Sequence, residues 1–178
     1  MMYHLFPADA PYTGTVATTE WLTEDEQRAW RALQSMQLRL TAALSRQLVA
    51  ESELSYQDYV VLVALTDRPD GRMRLFELAR DLGWEKSRLS HHIARMTDRK
   101  LVAKEVCTTD RRGAHVVASP RGREAIRRAA PGHVAAVRRL FVDRLTDGQL
   151  EAIAESCEAV LAGLVGVADA EVARSAVD

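Results

Sequence analysis

Several hydrogen-bonding side chains fall on one face of a predicted helix that extends from Lys86 to about Arg99. At about 100° per residue, Arg88, His91 and Arg95 form a stripe along this helix, which Arg99 extends. Small side chains border the stripe at Ser87, Ser90 and Ala94. Small residues beside long basic ones let a helix enter the major groove of DNA, where arginine can donate two hydrogen bonds to guanine.

We therefore predict that this helix contacts DNA, with serine and histidine reaching base edges or phosphates. The predicted contacts are Lys86, Ser87, Arg88, Ser90, His91 and Arg95. The alternative is that these side chains form only the solvated face of an amphipathic helix. Another face is apolar, because Leu89, Ile93 and Met96 fall within a narrow arc that must pack on a neighbouring helix.

The segment Thr108–His115 (TTDRRGAH) predicts the loop of a β-hairpin. It joins two short valine-rich segments, LVAKEVC and AHVVA, whose alternating pattern is typical of strands. Arg111 and Arg112 fall at the tip, from which they can reach the DNA minor groove, where negative potential is concentrated. We predict that both contact DNA. The alternative is a polar turn in which Asp110 and Gly113 only supply the turn geometry.

The elements before these two features are helical. A first helix is predicted from a capping pair, Thr23 with Glu26, to about residue 50, and a second opens at Ser55. A third, LFELARDL, ends at Gly83, a residue suited to the left-handed conformation that closes helices. Two short helices followed directly by a two-stranded hairpin indicate a winged helix-turn-helix, which is a DNA-reading unit.

Two further helices are predicted after the hairpin. Ser119 caps a helix whose first residue is Pro120, and this helix is expected to bend or break at Pro131–Gly132 before it resumes. Thr146 and Gln149 form a capping box for the last helix. The end of the chain is expected to be a loose tail.

The net charge of -1 conceals an uneven distribution. From Arg74 to Arg128 there are 14 Lys and Arg against 7 Asp and Glu, whereas the rest of the chain has 10 against 18. A basic segment within an acidic chain is expected when one lobe meets a polyanion such as DNA. Taken alone, the charge count also fits an ordinary solvated surface.

Composition and motifs argue against several other classes of protein. A chain of 178 residues with 47% hydrophobic residues suits one domain or two small lobes. The longest apolar runs are far shorter than the roughly 20 residues of a membrane span, and the N-terminus has no signal-peptide pattern, so we expect a cytoplasmic protein without membrane contact. No histidines and cysteines have metal-ligand spacing, and no catalytic or cofactor fingerprint occurs; we expect no metal, no cofactor and no enzymatic activity.

The two cysteines, Cys107 and Cys157, lie far apart and form no C-x-x-C pair. Cys157 falls on the apolar-rich last helix, where we expect a buried, inert thiol. Cys107 lies where the strand enters the hairpin loop, and nearby cations can favour its reactive thiolate form, so a thiol switch is a minor hypothesis.

The segment Leu75–Gly122 is similar to the core of the MarR (multiple antibiotic resistance regulator) family. The matching positions are Leu78, Ala79, Leu82, Ser87, Leu89, Ser90, Ile93, Arg95, Met96, Leu101, Asp110, Arg112 and Gly122. With the flanking helices, the resemblance covers roughly Thr23 to Val165. One departure is Lys100, where the family usually has a glycine that closes the recognition helix. Either Lys100 adopts the left-handed conformation at some cost, or the helix ends differently.

The resemblance implies a mainly α fold, in which a winged helix-turn-helix DNA-binding lobe is joined to a helical dimerisation lobe built from the N- and C-terminal helices. The implied divisions are an N-terminal arm at 1–22, a dimerisation helix at 23–54, the DNA-binding lobe at 55–118, C-terminal dimerisation helices at 119–167 and a tail at 168–178. The implied partners are double-stranded DNA, a second copy of the chain and a small-molecule effector.

The implied function is a transcriptional regulator, more specifically a repressor, that binds a palindromic operator as a homodimer and is released by a small, aromatic ligand. The residues that suit such a ligand are Trp30, Met36, Tyr56, Tyr59 and His133. Trp30 and Met36 alternatively belong to the dimer core, and His133 alternatively satisfies a backbone carbonyl. A non-catalytic winged-helix module for protein interaction or DNA architecture is the alternative function.

Overall fold

The computed structural model describes residues 21–106 and 114–175, with side chains described up to residue 164. Over these residues the elements are α1 (Glu24–Glu51), α2 (Tyr56–Thr66), β1 (Arg72–Arg74), α3 (Leu75–Asp81), α4 (Lys86–Asp98), β2 (Val102–Val106), β3 (Ala114–Ala118), α5 (Pro120–Leu140) and α6 (Asp147–Ser175). A short 3-10 turn, Val142–Arg144, separates α5 from α6. The chain divides into two units, one up to Gln37 and one from Leu38 onwards.

The first unit holds the beginning of α1, which starts as the sequence predicts. The backbone N–H of Thr23 donates to Glu26 Oε2 (2.7 Å), and the backbone N–H of Glu26 donates to Thr23 Oγ1 (3.3 Å). This reciprocal pair satisfies N–H groups that have no partner within the helix. The predicted capping box is therefore confirmed.

The second unit contains the winged helix-turn-helix, and its sheet has one more strand than predicted. β3 pairs antiparallel with both β2 and β1, in the order β1-β3-β2. The alternating sequence pattern predicts only the two strands of the hairpin. β1 has three residues, Arg72–Arg74, which is too short for an alternating pattern to show.

The core of the second unit lies between α2, α3, α4 and the sheet. Leu89, Ile93 and Met96 are fully buried, which confirms the predicted packed face of α4. α2 contributes Val61, Leu62 and Leu65 to the same cluster. Burial of each such side chain stabilises the fold by about 1.5–3 kcal/mol, so the register of α4 on the core is firmly set.

Both helices of the helix-turn-helix, α3 and α4, are followed by a residue in the left-handed backbone conformation. Gly83 follows α3 with a φ of 62°, and Lys100 follows α4 with a φ of 61°. After α4, the N–H of Lys100 donates to the Thr97 carbonyl and the N–H of Leu101 donates to the Met96 carbonyl, both at 2.9 Å. This is the hydrogen-bond pattern of a Schellman motif. The end of α4 is therefore the usual one, with lysine in a conformation that favours glycine.

α5 differs from the sequence expectation because it continues through Pro131 without a break. Of the two predicted alternatives at Pro131–Gly132, the interruption is wrong, and the bend stays a prediction. Proline removes one backbone N–H from the helix, but Ala129 and Ala136 are buried on either side of it. Packing along the whole of α5 thus outweighs the lost hydrogen bond. The helical cap at Ser119 is confirmed, since its Oγ accepts from the N–H of Gly122 (3.0 Å).

The last helix is longer than expected. The capping box of Thr146 and Gln149 precedes it, with the Thr146 N–H donating to Gln149 Oε1 (3.0 Å). α6 then continues to Ser175, so the segment expected as a tail is helical over most of its length.

Candidate nucleic-acid interface

The residues predicted to enter the major groove lie together on the outer side of α4. Lys86, Ser87, Arg88, His91 and Arg95 are exposed, and Ser90 is half-buried. The buried face of the same helix fixes their orientation, because a rotation of α4 would expose Leu89, Ile93 and Met96. The structure therefore brings together the predicted contacts of this helix as one exposed, basic surface.

Arg99 does not extend this surface in the way that helical spacing suggests. Its guanidinium donates to Asp58 Oδ2 at 2.7 Å and also to the carbonyl oxygen of Glu53. Arg99 thus ties the end of α4 to the beginning of α2. Helical periodicity could not reveal this, since Asp58 is 41 residues away in the sequence.

Asp58 is the buried anion at the centre of this contact, and the sequence analysis did not identify it. Its carboxylate accepts from the backbone N–H of Ser55 at 2.9 Å and completes the cap of α2. Burial by itself raises the pKa of Asp58, but hydrogen bonds from His92, Arg99 and Ser55 outweigh it and hold the pKa well below its ordinary value. Asp58 is therefore an ionised anchor for the recognition helix. A sequence signal existed in the spacing of Ser55 and Asp58, which is that of a capping box.

His92 connects Asp58 to the exposed basic surface of α4. Its Nε2 lies 3.2 Å from Asp58 Oδ1, and its Nδ1 lies 3.0 Å from a guanidinium nitrogen of Arg95. The ring of Trp84 meets His92 edge-on at 5.5 Å, and the guanidinium of Arg88 lies 5.0 Å from the Trp84 centroid. Two of the predicted DNA contacts, Arg88 and Arg95, are therefore held by side chains that themselves rest on the core.

These residues line a cleft of about 480 Å³ beside α4. Its walls are Ser55, Gln57, Asp58, Trp84, Arg88, His92, Arg95 and Arg99. Three arginines against one carboxylate give the cleft a net positive charge. A cationic cleft at the edge of a recognition helix can accept the phosphate backbone of DNA.

The hairpin loop lies largely outside the described residues. This includes both predicted contacts at its tip, Arg111 and Arg112, as well as Cys107. The described stem consists of β2 and β3, and Glu105 on β2 pairs with Arg72 of β1 at 3.4 Å. The stem thus joins the loop to the same sheet that packs on the helix-turn-helix.

The ligand residues predicted from the sequence are only partly brought together. Tyr59 of α2 and His133 of α5 are in contact, with ring centroids 4.3 Å apart. Tyr56 packs against the core of the second unit. Trp30 and Met36 lie on the part of α1 in the first unit, where 47% and 38% of their surfaces are exposed.

Two buried polar atoms in this part of the chain lack a partner, one on His133 and one on Gln47, whose side chain lies near Gly132. Gln47 Oε1 and His133 Nδ1 are buried and have no hydrogen-bond partner among the described residues. Burial lowers the pKa of His133, and burial together with the charge of Asp67 raises the pKa of Tyr59, so both rings are neutral near pH 7. Near Gly132, Gln47 Nε2 donates to Glu51 Oε2 at 2.7 Å. The cluster has hydrogen-bonding capacity that the described chain does not use.

The remaining sequence predictions concern the Cys157 thiol, metal binding and membrane-spanning helices. Cys157 is exposed on α6 in the single chain, so the expectation of a buried thiol is wrong there. Among the described residues, no group of three or more His, Cys, Asp or Glu side chains is arranged to hold a metal ion. No helix in the described part of the chain is both long and apolar enough to cross a membrane.

The fold and this surface together define a winged helix-turn-helix DNA-binding protein, and solved structures identify its family. The chain is 40% identical to AbsC, a MarR family transcriptional regulator from Streptomyces coelicolor, with a TM-score of 0.78, over 83% of this chain and 99% of AbsC. It is 39% identical to Sco3205, a MarR family regulator from the same organism in complex with DNA, with a TM-score of 0.77, over 81% of this chain and 94% of Sco3205.

A more distant structure has the same fold. BpsR from Bordetella bronchiseptica, whose DNA binding is regulated by 6-hydroxynicotinic acid, is 23% identical over 79% of this chain and 97% of BpsR, with a TM-score of 0.67. Comparison with protein-family models found no match, and neither did comparison with curated proteins. On the strength of the similarity to AbsC and Sco3205, the chain belongs to the MarR family of transcriptional regulators, which are DNA-binding proteins without enzymatic activity.

Proposed function

We propose that this protein is a repressor that binds a palindromic operator as a homodimer and leaves it when a small aromatic ligand binds. The observation that carries the proposal is the exposed basic surface of α4, formed by residues whose opposite face is fixed in the core. In this proposal, Arg88 and Arg95 donate to base edges, and Lys86, Ser87, Ser90 and His91 contact bases or phosphates. Arg111 and Arg112 enter the adjoining minor groove.

The dimer is supported by apolar side chains at both ends of the chain. Trp30, Leu33 and Met36 are exposed on α1, and Val160, Leu161 and Leu164 are exposed on α6. Exposed apolar surface of this extent is typical of an interface. We propose that residues 23–54 and 119–167 form this interface and that 55–118 form the DNA-binding lobe. A two-fold symmetric dimer then reads half-sites whose centres are about 10 base pairs apart.

The ligand is proposed to bind at the Tyr59–His133 contact. Two aromatic or imidazole rings and the unpaired Gln47 Oε1 suit a planar molecule that both donates and accepts hydrogen bonds, such as a hydroxylated aromatic acid. A ligand that binds the DNA-incompatible conformer more tightly releases the DNA. Because the partner of such a regulator is the chromosome, we expect the protein to act in the cytoplasm.

The experiment is a fluorescence-anisotropy titration on DNA selected from a random pool, with unrelated DNA as competitor. Arg95→Ala should lower affinity for the selected DNA at least tenfold and reduce the preference over unrelated DNA, because a bidentate arginine–guanine contact discriminates by about 1–3 kcal/mol. Arg68→Ala is the matched control, since it removes the same charge from an exposed position outside α4 and outside the segments proposed to form the dimer interface. Equal affinities for the wild type and Arg95→Ala would contradict the proposal, and equal binding to all DNA would favour an architectural module.

A further inference from the structure

His92 belongs to the recognition helix but faces inwards, between the anchor and the groove. Only 7% of its surface is exposed. The charged groups that face it are Asp58 from α2 and the three arginines of α4 that line the same cleft, Arg88, Arg95 and Arg99. Trp84, from the turn before α4, covers its ring edge-on.

The two ring contacts of His92 require one particular tautomer. A guanidinium has only N–H donors, so the 3.0 Å contact from Arg95 requires that His92 Nδ1 accepts and carries no proton. The proton of the neutral ring is then on Nε2, the atom that lies 3.2 Å from Asp58 Oδ1. Nε2 has no hydrogen bond within the described chain, and the nearby negative charge of the carboxylate favours a proton on this atom, which leaves the other nitrogen free to accept from Arg95.

We propose that neutral His92 is a specificity-determining positioning residue, which holds the Arg95 guanidinium in the orientation that reads the operator. The inference rests on the proposed function, because it concerns the contact that Arg95 makes with DNA. His92 itself does not touch the bases. His92 lies between Asp58, which Arg99 and the α2 cap hold in place, and the long side chain of Arg95. Without the contact to His92, the Arg95 side chain samples many rotamers.

The test measures the preference for the operator at pH 8, as the ratio of Kd on unrelated DNA to Kd on selected DNA. His92→Asn places an amide oxygen near the position of Nδ1, so its ratio should stay close to that of the wild type. His92→Gln places its amide near Nε2 instead, so its ratio should fall about tenfold, the effect expected from loss of one base contact.

Two results would overturn the inference alone: a ratio for His92→Asn as low as that for His92→Gln, or a ratio for His92→Gln equal to that of the wild type. If the wild type shows no preference for selected DNA at pH 8, the proposed function fails and this inference fails with it.

A measurement on the free protein distinguishes failure of this inference from failure of the proposed function. Long-range ¹H–¹⁵N NMR spectra of the free protein at pH 8 report which ring nitrogen of each histidine carries the proton, with His92→Asn supplying the assignment. We expect the Nε2–H tautomer for His92. The Nδ1–H tautomer would overturn the inference even if the protein bound its operator, because Arg95 could not then donate to that nitrogen.

Discussion

Two polar clusters in the second unit contrast in how their hydrogen-bonding groups are satisfied. In the cluster around Asp58, hydrogen bonds join Ser55 and Arg99 to the carboxylate and Arg95 to His92. The remaining ring nitrogen, His92 Nε2, makes no hydrogen bond within the described chain but lies 3.2 Å from the Asp58 carboxylate. In the cluster around Tyr59 and His133, Gln47 Oε1 and His133 Nδ1 are buried without a partner of either kind. A network held by hydrogen bonds and ionic contacts fixes geometry, whereas unpartnered polar atoms cost free energy until a ligand completes them. The first suits a surface that must be preorganised for DNA, and the second suits a site for an effector.

The largest effect is expected at Asp58. Asp58→Ala removes the buried carboxylate and leaves Arg99, His92 and the N–H of Ser55 without their partner, so the free energy of unfolding should fall by about 3 kcal/mol. Urea denaturation at pH 7 measures this change. Glu53→Ala is the control, because its exposed carboxylate pairs with Arg121 only at the surface. If Asp58→Ala lowers the free energy of unfolding no more than Glu53→Ala does, the buried cluster does not stabilise the fold more than a surface ion pair, and the contrast is contradicted.

The pH dependence of stability should separate the same two clusters. The pKa of Asp58 is depressed in the folded state, so its contribution to stability is present above about pH 4 and is lost as the pH falls below that value. The pKa of His133 is also depressed, so its contribution is lost earlier, as the pH falls below about 6.5. Urea denaturation of the wild type, Asp58→Asn and His133→Phe between pH 7.5 and 3 should show that each variant lacks one of these losses. Parallel curves for all three proteins would be inconsistent with this assignment.

A smaller effect is expected at the second cluster. His133→Phe keeps a ring against Tyr59 and removes the unpaired Nδ1, so the free energy of unfolding should rise, by about 1 kcal/mol or less. The variant should also lose its response to any effector while it binds DNA as the wild type does. A clear loss of stability would mean that His133 already has a partner, and the two clusters would then be alike.

The smallest effect concerns the end of the recognition helix. Lys100 has a φ of 61°, which costs lysine roughly 1 kcal/mol relative to glycine. Lys100→Gly should raise the free energy of unfolding by about 0.5–1 kcal/mol, with little change in DNA binding. Gly83→Ala, at the corresponding place after α3, should change it in the opposite direction. The thermal midpoints of both variants give the comparison, and a destabilised Lys100→Gly would contradict the assigned helix end.

Local patterns in the sequence predicted much of this fold. The two faces of α4 follow from helical spacing alone, and the caps at Thr23, Ser119 and Thr146 follow from residues three positions apart. These features depend on interactions within one or two turns, which a sequence displays directly. Local patterns also predict an interruption at Pro131, and this prediction is wrong because the packing that maintains α5 comes from other elements.

The Asp58 cluster could not be predicted in the same way. Asp58 and Arg99 are 41 residues apart, and only the packing of α2 on α4 brings them together. His92 is adjacent in sequence to the exposed His91, and only the register of α4 on the core turns one inwards and the other outwards. The residues proposed to touch DNA are thus predictable from periodicity, whereas the residues that position them depend on tertiary structure.

We propose that the outer face of α4 reads a two-fold symmetric operator. Selection of binding sites from a random DNA pool, followed by sequencing of the bound fraction, tests this with the wild type and Arg95→Ala in parallel. We expect enrichment of a palindrome whose half-sites are centred about 10 base pairs apart, with at least one conserved base pair in each half-site that is no longer selected by Arg95→Ala. A bound pool without an enriched motif, or the same motif with both proteins, would contradict it.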